Sequence, residues 1–166
     1  VDWYTIKAAT FKYPEAIVFC QQQNLHWDNL LRKKIVWLST TTLIIILVSM
    51  AALGILNDFS VRNLLTNVLA LLFPICWFFY QMITEHTGTI KEMERLRRIN
   101  DELIDSTISN DLSTDELILK CRQLQTAIYN HRKLARPIPN LLHKISKEEQ
   151  EEESADRMQH YLNEHQ

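Results

Sequence analysis

The stretch IVWLSTTTLIIILVSMAALGILN at residues 35–57 contains 23 residues in a row without a charged side chain. A second uncharged stretch of 22 residues, NLLTNVLALLFPICWFFYQMIT, occupies residues 63–84. An α-helix rises about 1.5 Å per residue, so about 20 residues cross the ~30 Å hydrocarbon core of a bilayer. Each stretch is long enough to span a membrane, and residues 58–62 leave room only for a tight turn. The pattern predicts a transmembrane helical hairpin over residues 35–84, and a hairpin buried in a soluble protein is the alternative.

The composition favours helices over sheets. The chain of 166 residues has 2 glycines and 4 prolines, whereas average usage gives about 12 glycines in a chain of this length. Sheet hairpins and the phosphate-binding loops of nucleotide enzymes depend on glycine. We therefore expect an all-α membrane protein.

Charge, cysteine and histidine exclude several functional classes. The 18 basic and 20 acidic side chains give a net charge of -2, which argues against binding of a nucleic acid polymer. Cys20, Cys76 and Cys121 lie far apart, and the 6 histidines form no HExxH motif, so we expect no metal site, cofactor or disulfide framework. No nucleophile or acid–base constellation emerges, and we expect that the protein is not an enzyme.

Basic residues flank the two uncharged stretches. Arg32, Lys33 and Lys34 precede the first stretch, and four more basic residues follow the second stretch within residues 91–98. The positive-inside rule therefore predicts that both termini are cytoplasmic and that the connecting loop lies outside. Trp37 and Trp77 are then expected at the cytoplasmic interface of the membrane.

The polar side chains within the stretches are few. Ser39, Thr42, Ile46 and Ser49 share one helical face, which can either line a water path or hydrogen-bond a neighbouring helix, the commoner use of such residues in membranes. Pro74 predicts a kink in the second stretch and is a candidate hinge. Neither stretch contains an ionisable residue at which a proton relay could operate.

Residues 1–34 are predicted to form a cytoplasmic or interfacial segment whose helix begins near Pro14 and runs into the membrane. The helix is expected to be amphipathic, with one apolar face and with polar residues on the other faces. The apolar residues are Ala16, Cys20, Trp27 and Leu31, and the polar residues are Gln21, Gln22, Asn24, Asp28 and Arg32. Such a helix lies at the membrane interface or forms a collar. The collar, with Trp27, Asp28 and Arg32 as contact residues, would dock against other chains or against further parts of this protein.

The pattern of apolar residues and helix breaks in residues 85–147 predicts two cytoplasmic helices that fold back as a hairpin. The first helix continues from the second stretch to about Ser106, and residues 109–117 break it. Ser113 and Glu116 have the spacing of a capping box at the start of the second helix. The apolar stripes are Ile90, Met93, Leu96, Ile99 and Leu103 in the first helix, and Leu117, Cys121, Leu124 and Ile128 in the second. Residues 148–166 form an acidic tail, with five carboxylates within residues 148–153.

Polar, aromatic and proline residues occur in a recognisable order around the two stretches. They are Asp2-Trp3-Tyr4, Cys20-Gln21, Asn24, Trp27-Asp28, Leu31-Arg32, Leu124-Gln125, Ile128, His131-Arg132 and Pro137-Ile138-Pro139. In this order they resemble the SMODS-associated four-transmembrane effectors of bacterial anti-phage systems. Members of that family carry two further spans, which we expect upstream of Val1 or from another chain.

The resemblance implies a pore-forming effector of the bacterial inner membrane. A nucleotidyltransferase that makes cyclic oligonucleotides would trigger it, and it would then form homo-oligomers, permeabilise the membrane and stop growth of the infected cell. Gln125, His131 and Arg132 are the matching residues of the cytoplasmic helices, and His131 and Arg132 either pair with the carboxylates of the collar or bind a ligand. The sequence shows no nucleotide pocket. The alternative function is a non-conducting membrane anchor whose cytoplasmic helices bind a partner protein.

Overall fold

The computed structural model describes residues 13–57, 60, 62, 64–109, 111–142 and 144–146, with the backbone alone at residues 64, 65 and 67. Helix α1 is Glu15–Leu56, a π-helix follows at Leu64–Leu69, and helices α2 and α3 are Ala70–Ile108 and Thr114–Leu134. The described residues contain no strand, which confirms the all-helical prediction. Asp2-Trp3-Tyr4 and the acidic tail at residues 148–166 lie outside these ranges.

The chain divides into two compact units. The central unit is Arg32–Gly88, and it contains both uncharged stretches. The terminal unit combines residues 1–31 with residues 89–166. The division falls close to the predicted boundaries of the membrane segment at residues 35–84.

Helix α1 extends without interruption for 42 residues. No proline occurs between Glu15 and Leu56, and Gly54 is the one glycine, so nothing in the sequence breaks the backbone hydrogen-bond ladder. The helix ends at Leu56, and the next residue, Asn57, donates from both its backbone N–H and its side-chain Nδ2 to the Leu53 carbonyl, at 3.1 and 2.8 Å. The helix that was expected to run into the first stretch therefore does so.

Helices α1, α2 and α3 all contribute to one hydrophobic core in the terminal unit. Its buried residues are Val18, Phe19, Leu25, Met93, Leu96, Leu103, Ile104, Leu117, Cys121, Leu124 and Ile128. The predicted stripe of α3 is confirmed, since all four of its residues are buried. In the α2 stripe three residues are buried, while Ile90 and Ile99 are half-buried.

The polar residues of α1 differ from the amphipathic expectation. Gln21, Asp28 and Arg32 are buried, with exposed fractions of 3%, 7% and 3%. Trp27, expected on the apolar face, is only half-buried. A helix lying flat on a membrane would keep its polar face in water. Burial on several faces shows instead that this part of α1 is packed inside the protein.

The capping box at the start of α3 is confirmed. Ser113 is the N-cap residue, and its Oγ accepts a hydrogen bond from the Glu116 backbone N–H. The Glu116 carboxylate in turn accepts from the Ser113 backbone N–H at 3.1 Å. The helix ends at Leu134, three residues before Pro137. Local sequence therefore determines both ends of this helix.

We expect Ser113→Ala to destabilise the terminal unit by about 1 kcal/mol, the usual cost of losing such a cap. Hydrogen bonds from the Ser113 side chain and backbone lower the pKa of Glu116 from its usual value of 4.5. A carboxyl whose pKa is lowered in the folded state contributes stability above its unfolded pKa, and this is lost as the pH falls through the folded pKa. The variant should therefore lose less stability than the parent when thermal unfolding is followed by circular dichroism from pH 5 down to pH 3.

Thr126→Ala is the control for this prediction, because among the described residues the Thr126 hydroxyl bonds only the carbonyl four residues back, in the middle of α3. Equal pH dependence in Ser113→Ala and the parent chain would contradict it.

Candidate functional site

Apolar side chains cover the surface of the central unit. On α1 the side chains that are at least half exposed are Trp37, Leu38, Ile44, Ile45, Val48, Leu53, Ile55 and Leu56. On α2 they are Leu71, Phe73, Trp77, Phe78 and Tyr80. Water-soluble monomers rarely expose contiguous apolar patches of more than a few hundred Å². The surface therefore suits lipid, and it argues against a hairpin buried in a soluble protein.

Among the described residues, α1 is the one helix that is long and apolar enough to cross a membrane. The second stretch is divided between the π-helix and the beginning of α2, and neither part meets both requirements by itself. The second span, the membrane hairpin and the cytoplasmic position of the termini stay predictions.

The predicted polar face of α1 becomes more exposed along its length. Ser39 is 4% exposed, and its Oγ donates to the Ile35 carbonyl at 2.7 Å. Thr42 and Ile46 are half-buried, and Ser49 is exposed. The hydroxyls of Thr42 and Ser49 make no hydrogen bond with the described part of the chain. Contacts with the described residues thus leave these two hydroxyls available to water or to another helix.

Pro74 lies at the fifth residue of α2, and the helix continues through it. The π-helix at Leu64–Leu69 directly precedes α2, and the sequence analysis missed it. A π-helix bonds each carbonyl to the N–H five residues on, and such segments are frequent at functional sites. No residue pattern distinguishes it from an α-helix, so sequence reasoning had no signal for it. The hinge at Pro74 stays a prediction.

Arg32 contacts His86, a residue that the sequence analysis did not single out. The Arg32 Nη1 lies 3.3 Å from the His86 Nδ1, and both residues are buried. A guanidinium only donates hydrogen bonds, so Nδ1 acts as the acceptor in this arrangement. The pair joins α1 to α2 within the central unit. Scattered histidines carry no spacing signal, so only the fold brings His86 to this position.

The two predicted interface tryptophans point outward from the central unit. Trp37 is 68% exposed and Trp77 is 53% exposed. The Trp77 ring stacks on Tyr80 with 5.8 Å between the ring centroids. Outward aromatic rings fit an interfacial position, although their depth in a bilayer stays a prediction.

In the terminal unit an ion pair holds α3 against α1. The Arg132 Nε lies 3.4 Å from the Asp28 Oδ2, and the Arg132 Nη2 donates to the Asn24 carbonyl at 3.1 Å. Asp28 is buried, while the Arg132 side chain is 42% exposed. Arg132 therefore pairs with Asp28, a residue of the predicted collar.

Amide side chains add further links from α1 to its neighbours. The Gln21 Nε2 donates to the Cys121 carbonyl at 2.8 Å and to the Gln125 Oε1 at 3.3 Å, both on α3. The Gln22 Nε2 donates to Asp101 on α2 at 3.1 Å. Of the predicted residues, Gln125 and Arg132 therefore contact α1.

His131 is half-buried and acts at a different place, near Glu92 of α2. The pKa of Glu92 is lowered chiefly by its hydrogen bond from Arg95, and His131 adds a smaller electrostatic attraction. His131 and Arg132 are adjacent in sequence, yet His131 acts on Glu92 of α2 and Arg132 pairs with Asp28 of α1.

A groove of about 440 Å³ lies between α1 and α3 in the terminal unit. Its polar described residues are Tyr13, Gln21, Asn24, Arg122 and Gln125, and Cys20 and Cys121 also line it. Burial raises the pKa of both thiols above the usual value of 9.0, so both are protonated at neutral pH. The sequence shows no pocket here because the groove joins two segments that are about 100 residues apart.

Comparison with known proteins identifies the family. The model of the SMODS-associating 4TM effector domain matches residues 1–161 of the chain. Searches of the curated proteins and of the solved structures find no match. The match extends through both units and nearly the whole sequence, in agreement with the resemblance seen in the sequence. The chain belongs to the SMODS-associating 4TM effector domain family.

Proposed function

We propose that this protein is a pore-forming effector of a bacterial anti-phage system. In the inner membrane, with both termini in the cytoplasm, it assembles with further copies of itself and makes the membrane permeable when a cyclic oligonucleotide signals infection. Family membership supports the role of membrane effector. The observation that carries the proposal is the exposed apolar surface of the central unit, interrupted on α1 by the Thr42 and Ser49 hydroxyls, which bond none of the described residues.

The hydroxyls favour assembly over a monomeric anchor. A polar group in hydrocarbon that lacks a hydrogen bond costs free energy, and Ser49 is both exposed and without a described partner. Small polar residues are typical of contacts between membrane helices, because they allow close approach and donate across the interface. Two helices are too few to enclose a water path, so a conduit lined by this face needs further helices.

The test is dye release from liposomes that contain the full-length protein and receive cyclic oligonucleotides. We expect release on activation, and we expect Thr42→Leu and Ser49→Leu to slow it severalfold without preventing insertion. One hydrogen bond between membrane helices contributes about 0.6 kcal/mol on average, or about threefold in an association constant. Thr40→Leu is the matched control, because the Thr40 hydroxyl is exposed on another face and bonds the Val36 carbonyl at 2.8 Å.

Tight vesicles under every trigger would overturn the proposal. Equal slowing by Thr40→Leu and Thr42→Leu would show that the polar face has no special role.

The second candidate function is a non-conducting anchor whose cytoplasmic helices bind a partner protein. The packed core that α1, α2 and α3 share in the terminal unit favours it, because such a unit can present a partner surface without a pore. Replacing residues 35–84 by an unrelated membrane hairpin discriminates between the two functions. Protection against phage should survive the exchange in an anchor, whereas a pore-forming effector should lose it.

A further inference from the structure

The groove between α1 and α3 has the size of a small-ligand site. Its volume of about 440 Å³ falls within the range of about 300–1,000 Å³ that is typical of ligand pockets. Ile17 and Ile118 supply apolar surface from the two helices. Polar side chains lie beside this surface, and such a combination is usual where a ligand is oriented as well as enclosed.

Arg122 gives the groove its charge. Three other arginines of the terminal unit are paired, Arg132 with Asp28, Arg95 with Glu92 and Arg97 with Asp101. Arg122 is exposed, and its guanidinium makes no ion pair with the described residues. Since both thiols in the groove are protonated, Arg122 is the charged group among the described residues that line it. A planar guanidinium binds a phosphate through two parallel hydrogen bonds.

Gln125 supplies a donor and an acceptor beside that charge. Its Oε1 accepts from the Gln21 Nε2 at 3.3 Å, which orients the carboxamide, and its Nε2 makes no hydrogen bond with the described residues. A carboxamide in this state matches the edge of adenine, where N7 accepts and N6 donates. Tyr13 is 68% exposed at the rim of the groove, where its ring can stack on a base.

We propose that this groove binds an adenine nucleotide, with the phosphate on Arg122, the base edge on Gln125 and the base against Tyr13. The inference deepens the proposed function and rests on it for the role of the ligand, which would be to signal infection. Because the groove has one wall on α1 and the other on α3, a bound nucleotide would bridge the two helices. Binding would thus add a contact to those made by Gln21 and Arg132.

Isothermal titration calorimetry on the full-length chain in detergent tests the site, with AMP, cyclic di-AMP and inorganic phosphate as probes. We expect AMP or cyclic di-AMP to bind more tightly than phosphate, and Arg122→Gln to weaken nucleotide binding at least about tenfold, as loss of a charged hydrogen bond does. Lys120→Gln is the matched control. Lys120 is exposed on the same helix and lies outside the groove, so this substitution removes the same charge without changing the groove.

Three results would overturn the inference: no binding of either nucleotide at millimolar concentration, equal affinity for phosphate and nucleotide, or equal weakening by Arg122→Gln and Lys120→Gln. Dye release is measured in parallel on the same preparations. If the vesicles leak although no nucleotide binds, the pore-forming function is supported and the nucleotide site is contradicted. If nucleotide binds but the vesicles never leak, the nucleotide site is supported and the pore-forming function is contradicted.

Discussion

Replacing Ile45 by lysine is expected to reduce insertion of the chain into membranes by roughly a hundredfold. Ile45 is 59% exposed and lies next to the middle of residues 35–57. A lysine at the centre of a spanning helix costs about 3 kcal/mol, and each 1.4 kcal/mol is about a factor of ten. In a water-soluble hairpin the same exposed position would tolerate lysine within about 0.5 kcal/mol. The fraction of chain that resists alkaline extraction from membranes measures the difference.

Two control variants separate loss of insertion from general damage. Ile45→Leu keeps the apolar character and should insert like the parent chain. Leu134→Lys introduces the same charge at a residue that is 88% exposed at the end of α3, outside either uncharged stretch. It should leave insertion unchanged. Full insertion of Ile45→Lys would show that residues 35–57 do not cross the membrane.

Local patterns predicted the helices of the terminal unit well. Leu117, Cys121, Leu124 and Ile128 recur every three or four residues, and such spacing can bury only one face of a helix. The capping box at Ser113 likewise depends on two residues that are three positions apart. Interactions between residues three or four positions apart can be predicted from the sequence, because no distant part of the fold has to be known to recognise them.

The buried polar contacts could not be predicted in this way. Gln21 bonds a residue 100 positions away, and Asp28 bonds one 104 positions away. Hydrophobic periodicity assigns both residues to a water-exposed face, because a polar side chain is usually solvated unless a partner replaces the water. The partners come from α3, so the burial of α1 becomes apparent only when the three helices are assembled.

The candidate site was predictable in part for the same reason. The sequence identified the hydroxyl face of Thr42 and Ser49 from helical spacing, but their exposure depends on what packs beside α1. The groove that contains Arg122 and Gln125 had no sequence signal. In the sequence Arg122 looks like any exposed charged residue, and only the fold brings α1, with Gln21, to the other side of the groove.

Replacing Arg132 by methionine is expected to destabilise the terminal unit by about 2 kcal/mol. The change leaves the Asp28 carboxylate, which is 8% exposed, without its guanidinium, and the Asn24 carbonyl without its Nη2 donor. Removing one partner of a fully buried pair costs about 3–5 kcal/mol. The value here is lower, since solvent screens the Arg132 side chain, which is 42% exposed. Urea unfolding of the detergent-solubilised chain, followed by circular dichroism, measures it.

A double-mutant cycle with Asp28→Asn isolates the pair from the other contacts of each residue. Residues in direct contact usually show a coupling free energy of at least about 0.5 kcal/mol, so the double variant should be more stable than the two single losses predict. Arg122→Met is the matched control, because Arg122 lies on the same helix without an acidic partner among the described residues. It should change stability by less than about 0.5 kcal/mol. Additive losses, or equal losses at Arg122 and Arg132, would mean that the ion pair does not hold α3 against α1.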